Sequence, residues 1–201
     1  MKKSGFYTAA AVIICMACSC HNGGKSSVNQ ADSANASKID SGAVRLSQDE
    51  TQFMVAAAND GMTEIQLGQV AQKKIKNARI LSFASMIISD HTQAGNELKA
   101  LAGNKNVSLP DSLSTASRKD VDKLSRKSGA DFQKNYLDMM VSAHQKAVST
   151  FQDELGKVQN PDLRQWITNT LPVLQTHLDS ARALDSVYAN SRQGKPYPSV
   201  P

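Results

Sequence analysis

Ile80-Leu81-Ser82-Phe83-Ala84-Ser85-Met86-Ile87-Ile88-Ser89-Asp90-His91-Thr92-Gln93-Ala94-Gly95-Asn96-Glu97-Leu98 is the stretch whose reading decides the fold. At about 100° per residue, Ile80, Ala84, Ile87, His91, Ala94, Leu98 and Leu101 share one face of a long helix. A histidine in the centre of that apolar stripe is either a hydrogen-bonded core residue or part of a site.

Upstream, Ser47-Gln48-Asp49-Glu50 has the form of a capping box, with Ser47 as N-cap and Glu50 three residues on. It predicts a first long helix over residues 47–76, with Phe53, Ala57, Gly61, Glu64, Gly68, Ala71 and Ile75 on its inner face. Gly61 and Gly68 lower helix propensity, and a close neighbouring backbone would account for both. Asn77 then caps the second long helix, which ends near residue 103, so the two are antiparallel neighbours across a very short turn. Residues 104–128 form a polar, serine-rich connection interrupted by Pro110, in which Val121 and Leu124 predict one short helix over an end of the bundle.

Downstream, Phe132, Tyr136, Met140, Ala143, His144, Ala147, Phe151 and Leu155 mark a third long helix over 131–158. Asn160-Pro161 is an N-cap followed by proline at the first helical position. The fourth helix carries Leu163, Ile167, Leu171, Leu174, His177, Leu178, Ala181, Leu184 and Tyr188 in one arc, with Pro172 outward as an expected kink. The expected architecture is all-α, an antiparallel four-helix bundle over 47–189 with a short extra helix between its second and third long helices. Residues 190–201, with Pro196, Pro198 and Pro201, are expected to be a disordered tail.

Each long helix places one titratable residue on its inner stripe: Glu64, His91, His144 and His177. At about 1.5 Å per residue, Glu64 and His91 are equally far from the turn that joins their helices, and the other two lie near mid-helix. The four are therefore expected in one layer. A buried carboxylate must be neutralised, hydrogen-bonded or bound to a cation. Three imidazoles and a carboxylate form a candidate site for a mononuclear transition metal such as zinc, copper or iron. A buried Glu–His network that only sets helix register is the other reading. Asp60, one turn before Glu64, is a weaker extra candidate, and Asp90 projects to a flank. Met62, Met86, Met139, Met140, Tyr136 and Trp166 read as packing residues.

Composition narrows the function classes. The chain has 201 residues, 40% hydrophobic and 20% charged, enough for one ordinary domain. The net charge of +5 is scattered among acidic residues, so there is no nucleic-acid footprint. All three cysteines, Cys15, Cys18 and Cys20, lie near the N-terminus, leaving the rest without disulfide or thiolate chemistry. Lys2 and Lys3 followed by a short apolar run read as a signal peptide over 1–20. Met16-Ala17-Cys18-Ser19-Cys20 is similar to a bacterial lipobox, with Cys20 the better lipidation site and Cys18 the alternative; an ordinary cleaved signal with incidental cysteines is the other reading. Acyl chains on that cysteine would anchor the protein to a membrane, at about 0.8 kcal/mol per buried CH₂. Residues 21–46, rich in Ser, Asn, Ala and Gly, are expected to be a flexible tether.

Residues 53–67, 83–98 with Asp90-His91, 136–148 with His144-Gln145, and 171–178 with Leu171-Pro172 and His177 together resemble a bacterial family catalogued as domain of unknown function 4142. Its members are labelled predicted outer-membrane proteins and grouped with ferritin-like bundles. The resemblance implies that fold and an envelope address, outer membrane facing the periplasm, but no activity. Ferritin-like di-iron proteins use a Glu-x-x-His on each of two helices. Here Ile88, Val141 and Leu174 stand three residues before the histidines, so the di-iron carboxylate set is absent. There is also no phosphate loop and no serine-hydrolase elbow. The expectation is an envelope-anchored, non-catalytic helical lipoprotein with a metal or small-ligand site in its polar layer; a metal-assisted reaction inside that layer is the one enzymatic route left open. The alternative is a structural or stress-related interaction protein whose layer only sets register.

Overall fold

The computed structural model describes residues 26–192, which form six helices and no strand. They are α1 (Ser27–Asp40), α2 (Gln48–Lys74), α3 (Ala78–Asn104), α4 (Thr115–Ser125), α5 (Gly129–Leu155) and α6 (Pro161–Arg192). The four expected long helices are α2, α3, α5 and α6, and α4 is the short helix expected in the connection.

Local sequence sets the helix ends. The Ser47 hydroxyl accepts from the Glu50 N–H at 3.1 Å, while Glu50 Oε2 accepts from the Ser47 N–H at 2.9 Å. Glu50 reaches further than its own helix: its Oε1 accepts the backbone N–H groups of Gln159 at 2.9 Å and Asn160 at 2.8 Å. One buried carboxylate thus caps α2 and holds the turn between α5 and α6. Asn77 caps α3 by accepting from Arg79 and Ile80, and Asn160 caps α6 by accepting from Asp162 and Leu163.

The contacts at the helix ends give the topology. The start of α2 lies beside the end of α5, where Phe53 and Phe151 meet edge to face at 5.0 Å between ring centroids. Near the start of α6, Trp166 donates its indole N–H to the Ala94 carbonyl towards the end of α3, at 3.2 Å. The Tyr188 hydroxyl at the end of α6 donates to Ala130 at the start of α5, at 2.8 Å. Every neighbouring pair is therefore antiparallel, which leaves α3 and α5 parallel across the diagonal. A parallel pair needs a connection that returns along the bundle, and residues 105–128 with α4 supply it. A bundle with one such crossover is the ferritin-like arrangement.

The core divides at mid-height. On one side lies a cluster that includes Phe53, Met54, Leu98, Phe151, Leu163 and Ile167. On the other lies a cluster that includes Leu67, Ile80, Ile87, Phe132, Tyr136 and Leu137. Gly68 fulfils the expectation of close approach, since a Cβ there would stand 2.8 Å from the Ile88 side chain and 3.3 Å from the Ala84 carbonyl. Gly61 does not; a Cβ there would meet only His91 Nδ1, at an ordinary 3.7 Å.

The expected tether over 21–46 is corrected from residue 27 onward, because α1 is helical and packs against α2 and the crossover. Its docking is mainly polar, which hydrophobic periodicity does not reveal. Asn35, buried, donates to the Ser108 carbonyl at 2.9 Å and accepts the Ser108 N–H at 2.7 Å. Lys38 Nζ donates to the Asn106 carbonyl and to Ser108 Oγ. Val44 and Leu46 then enter the core ahead of α2. At the other end α6 continues through the exposed Pro172 to Arg192, past the expected limit at 189. The expected signal peptide over 1–20, with Cys18 and Cys20, and residues 193–201 of the expected tail lie outside the described residues.

Replacing Glu50 removes the reciprocal half of the α2 capping box and leaves the part-buried N–H groups of Gln159 and Asn160 without their acceptor. Glu50→Ala is expected to cost about 3 kcal/mol, read as a lower urea midpoint in chemical denaturation.

Candidate functional site

The mid-height layer holds all four residues that the sequence places there. Glu64 comes from α2, His91 from α3, His144 from α5 and His177 from α6, and all are buried. Their rings crowd together: centroids are 5.6 Å apart for His91 and His144, 5.3 Å for His91 and His177, and 5.1 Å for His144 and His177. One ligand-capable nitrogen from each histidine lies within 4.8 Å of the others.

Hydrogen bonds fix which ring nitrogens carry protons. His144 Nδ1 lies 2.9 Å from the Met140 carbonyl. A carbonyl only accepts, so Nδ1 holds the proton and Nε2 presents a lone pair. That Nε2 stands 3.4 Å from His91 Nε2. His177 Nε2 is 2.9 Å from Asp90 Oδ2, so Nε2–H donates to the carboxylate and Nδ1 is left with its lone pair. His177 Nδ1 is buried and has no hydrogen-bond partner among the described residues.

Glu64 stands differently from the histidines. Its Oε2 is 2.7 Å from His91 Nε2, an ion pair in which the imidazole N–H donates. Its Oε1 lies 3.6 Å from His144 Nδ1, beyond hydrogen-bond reach. The compact ligand-capable group is thus the three histidines, with Glu64 paired to one of them.

The electrostatics follow from burial and partners. Burial alone pushes the Glu64 pKa up, but the charge and hydrogen bond of His91 override it, and the carboxyl ends below its ordinary value. Burial pushes His91 down, and Glu64 more than reverses this, so His91 ends above the usual histidine range. For His144 burial prevails over Glu64 and the pKa is lowered. For His177 burial prevails over the Asp90 hydrogen bond and lowers the value to about 4. The directions favour an ionised Glu64 beside a protonated His91 and neutral imidazoles at His144 and His177.

Two features escaped the sequence reading. Asp90, expected on a flank as either solvated or supporting the layer, has His177 as its partner, which only the placement of α6 reveals. Tyr136, read as packing, is fully buried, and its hydroxyl has no hydrogen-bond partner among the described residues. Asp60 is exposed and bonded to Asn59 Nδ2 at 3.1 Å, outside the layer. Met140 is fully buried in the core, in keeping with a packing role.

Comparison with known proteins places this geometry in context. The family model described as "Domain of unknown function (DUF4142)" matches residues 35–184. No curated protein matches the chain. Among solved structures the chain is similar to a DUF305 fragment from Deinococcus radiodurans, with a TM-score of 0.63 and 14% identity. That match covers 70% of this chain and 97% of the other, and at that identity it speaks for the fold alone.

The pKa directions set a pH dependence. An unfolded histidine titrates near 6.5, whereas folded His177 titrates near 4, so the unfolded chain binds more protons between those values. Stability from His177, and in the same direction from His144, is present above 6.5 and is lost as the pH falls through that window. Glu64, with its lowered pKa, adds stability above 4.5 that is lost on further acidification. His91, with its raised pKa, adds stability that is complete below 6.5 and is lost as the pH rises through its folded value. Thermal melts of chelator-treated protein are expected to show the melting temperature falling from neutral pH towards pH 4, with a shallower fall for His177→Gln.

Proposed function

The chain belongs to the DUF4142 family, and we propose that it is a metal-binding bundle held at the bacterial cell envelope. The observation that carries this reading is the buried, unpartnered Nδ1 of His177, beside the lone pair of His144 Nε2. A buried acceptor without a partner costs about 1–3 kcal/mol, and a cation held among three histidines whose ligand-capable nitrogens lie within 4.8 Å of one another would satisfy it. The other ring nitrogens support the same role. Metal-binding histidines commonly donate their second N–H to a backbone carbonyl or a carboxylate, as His144 does to Met140 and His177 to Asp90.

The donor set fits a single divalent transition ion. Two nitrogens about 2.0 Å from one tetrahedral ion lie roughly 3.3 Å apart, and His91 Nε2 and His144 Nε2 are 3.4 Å apart. His144 and His177 present free lone pairs, whereas His91 would have to release to solvent the Nε2 proton it donates to Glu64 before joining them on the ion, with Glu64 supplying the adjacent negative charge. Three imidazoles suit zinc, copper or iron. When bound, the ion supplies Lewis acidity to a fourth ligand.

The envelope address rests on the sequence: a leader over 1–20 with lipidation at Cys20, or alternatively Cys18, would anchor the domain to the outer membrane on its periplasmic side. No helix among the described residues is long and apolar enough to cross a membrane. A second reading, a layer that only sets helix register in a structural or interaction lipoprotein, is favoured by the Glu64–His91 pair at 2.7 Å.

Elemental analysis after separate reconstitution with zinc, copper and iron, followed by dialysis, distinguishes the two. Metal binding predicts one ion per chain in at least one arm, its loss in His144→Ala and His177→Ala, and roughly 10–100-fold weaker affinity in Asp90→Asn. A register role predicts substoichiometric metal in every arm, and an unchanged fold when the three histidines are made apolar together.

A further inference from the structure

A cavity of about 870 Å³, open to solvent on one side, lies between the long helices and the crossover, mostly on the Phe53 side of the layer. Its wall includes Glu64 and His91 but neither His144 nor His177. On α2 the lining runs from Phe53 to Leu67, which is about 21 Å of helix. The space exists because its walls carry small side chains where a bundle core ordinarily carries large ones: Ala57 and Gly61 on α2, Ala94 on α3, and Ala143 and Ala147 on α5. Phe53, Phe151 and Trp166 form an aromatic end. The volume falls in the range of about 300–1,000 Å³ typical of small-molecule sites, which are mostly apolar with few polar groups.

Glu64 is the polar group that decides the ligand. Its Oε2 is engaged by His91, while Oε1 has His144 Nδ1 at 3.6 Å as its neighbour and so remains an acceptor. The residue is 5% exposed, so this acceptor is well shielded from bulk water. An anionic head would be repelled by the carboxylate, and an ammonium would compete with His91 for it. A neutral head with one donor suits it. At the solvent end Lys99 and Lys146 stand with Asp60, Asp111 and Asp120, a mixed rim that selects neither sign of charge.

We propose that this cavity binds an uncharged, elongated apolar molecule with a hydroxyl head, an alcohol or a phenol. The body lies along the small and aromatic side chains, and the hydroxyl donates to Glu64 Oε1. The site does not require an ion on the histidines.

The test is fluorescence of the neutral apolar probe N-phenyl-1-naphthylamine on chelator-treated protein, displaced by decanol, decanoate or decylamine below their aggregation concentrations. Decanol is expected to displace the probe about tenfold better than decanoate. Glu64→Gln, which removes the charge and keeps the shape, should bring the two within about twofold. Ala57→Phe should exclude the probe while the melting transition persists, with Ala147→Phe as the second variant if the first does not fold. The proposal is overturned by no probe binding to the native protein, by equal displacement or a preference for decanoate or decylamine, by probe binding unchanged in both filled variants, or by a concentration-dependent dimer that shuts the probe out.

Discussion

The buried ion pair between Glu64 and His91, 2.7 Å across the α2–α3 interface, is the constraint on which the rest of the bundle depends. A carboxylate this deeply buried is tolerated only when it is neutralised, and the penalty for removing its partner is several kcal/mol. Sliding α3 by one turn against α2 would separate the pair by about 5.4 Å and strand both charges. The pair thus fixes the register of two helices that mostly share apolar surface. His144, whose Nε2 is 3.4 Å from His91, carries the same level into α5, and the Asp90–His177 bond carries it into α6.

Placing a polar layer at mid-height has consequences on both sides. It splits the apolar core into two clusters, each of which packs large side chains from all four long helices. On the Phe53 side the small residues next to the layer leave a cavity that reaches Glu64 and His91. The two histidines farther from the cavity are the two that direct a proton outward, to Met140 and to Asp90, and a lone pair inward. Hydrogen-bond direction thus divides the layer into a neutralised pair beside the cavity and two unprotonated nitrogens behind it.

Much of this was legible in the sequence because helical geometry is regular. The capping box at Ser47, the Asn77 turn and Asn160-Pro161 fixed where three of the long helices begin. Counting from the Asn77 turn then placed Glu64 opposite His91. What escaped was set by polar partnering rather than periodicity. α1 docks through Asn35 and Lys38 on the crossover, contacts some seventy residues away in sequence that no local pattern displays. Asp90 lies one residue off the stripe, and only the placement of α6 shows that this offset points it at His177. Gly61 resembled Gly68 as a glycine on the same face, yet only Gly68 meets a neighbouring backbone, because Gly61 faces the imidazole of His91.

The central claim, that two neutral imidazoles in one buried cluster keep an unprotonated nitrogen each, is tested most directly by nitrogen-15 NMR of the histidine side chains. In metal-free protein at neutral pH the account predicts His144 protonated at Nδ1 and His177 at Nε2. Added zinc should then shift His144 Nε2 and His177 Nδ1, and His91 Nε2 with loss of the proton it shares with Glu64, while His144 Nδ1 and His177 Nε2 keep their protons. Either ring in the opposite tautomer, or spectra unchanged by saturating zinc, would contradict it.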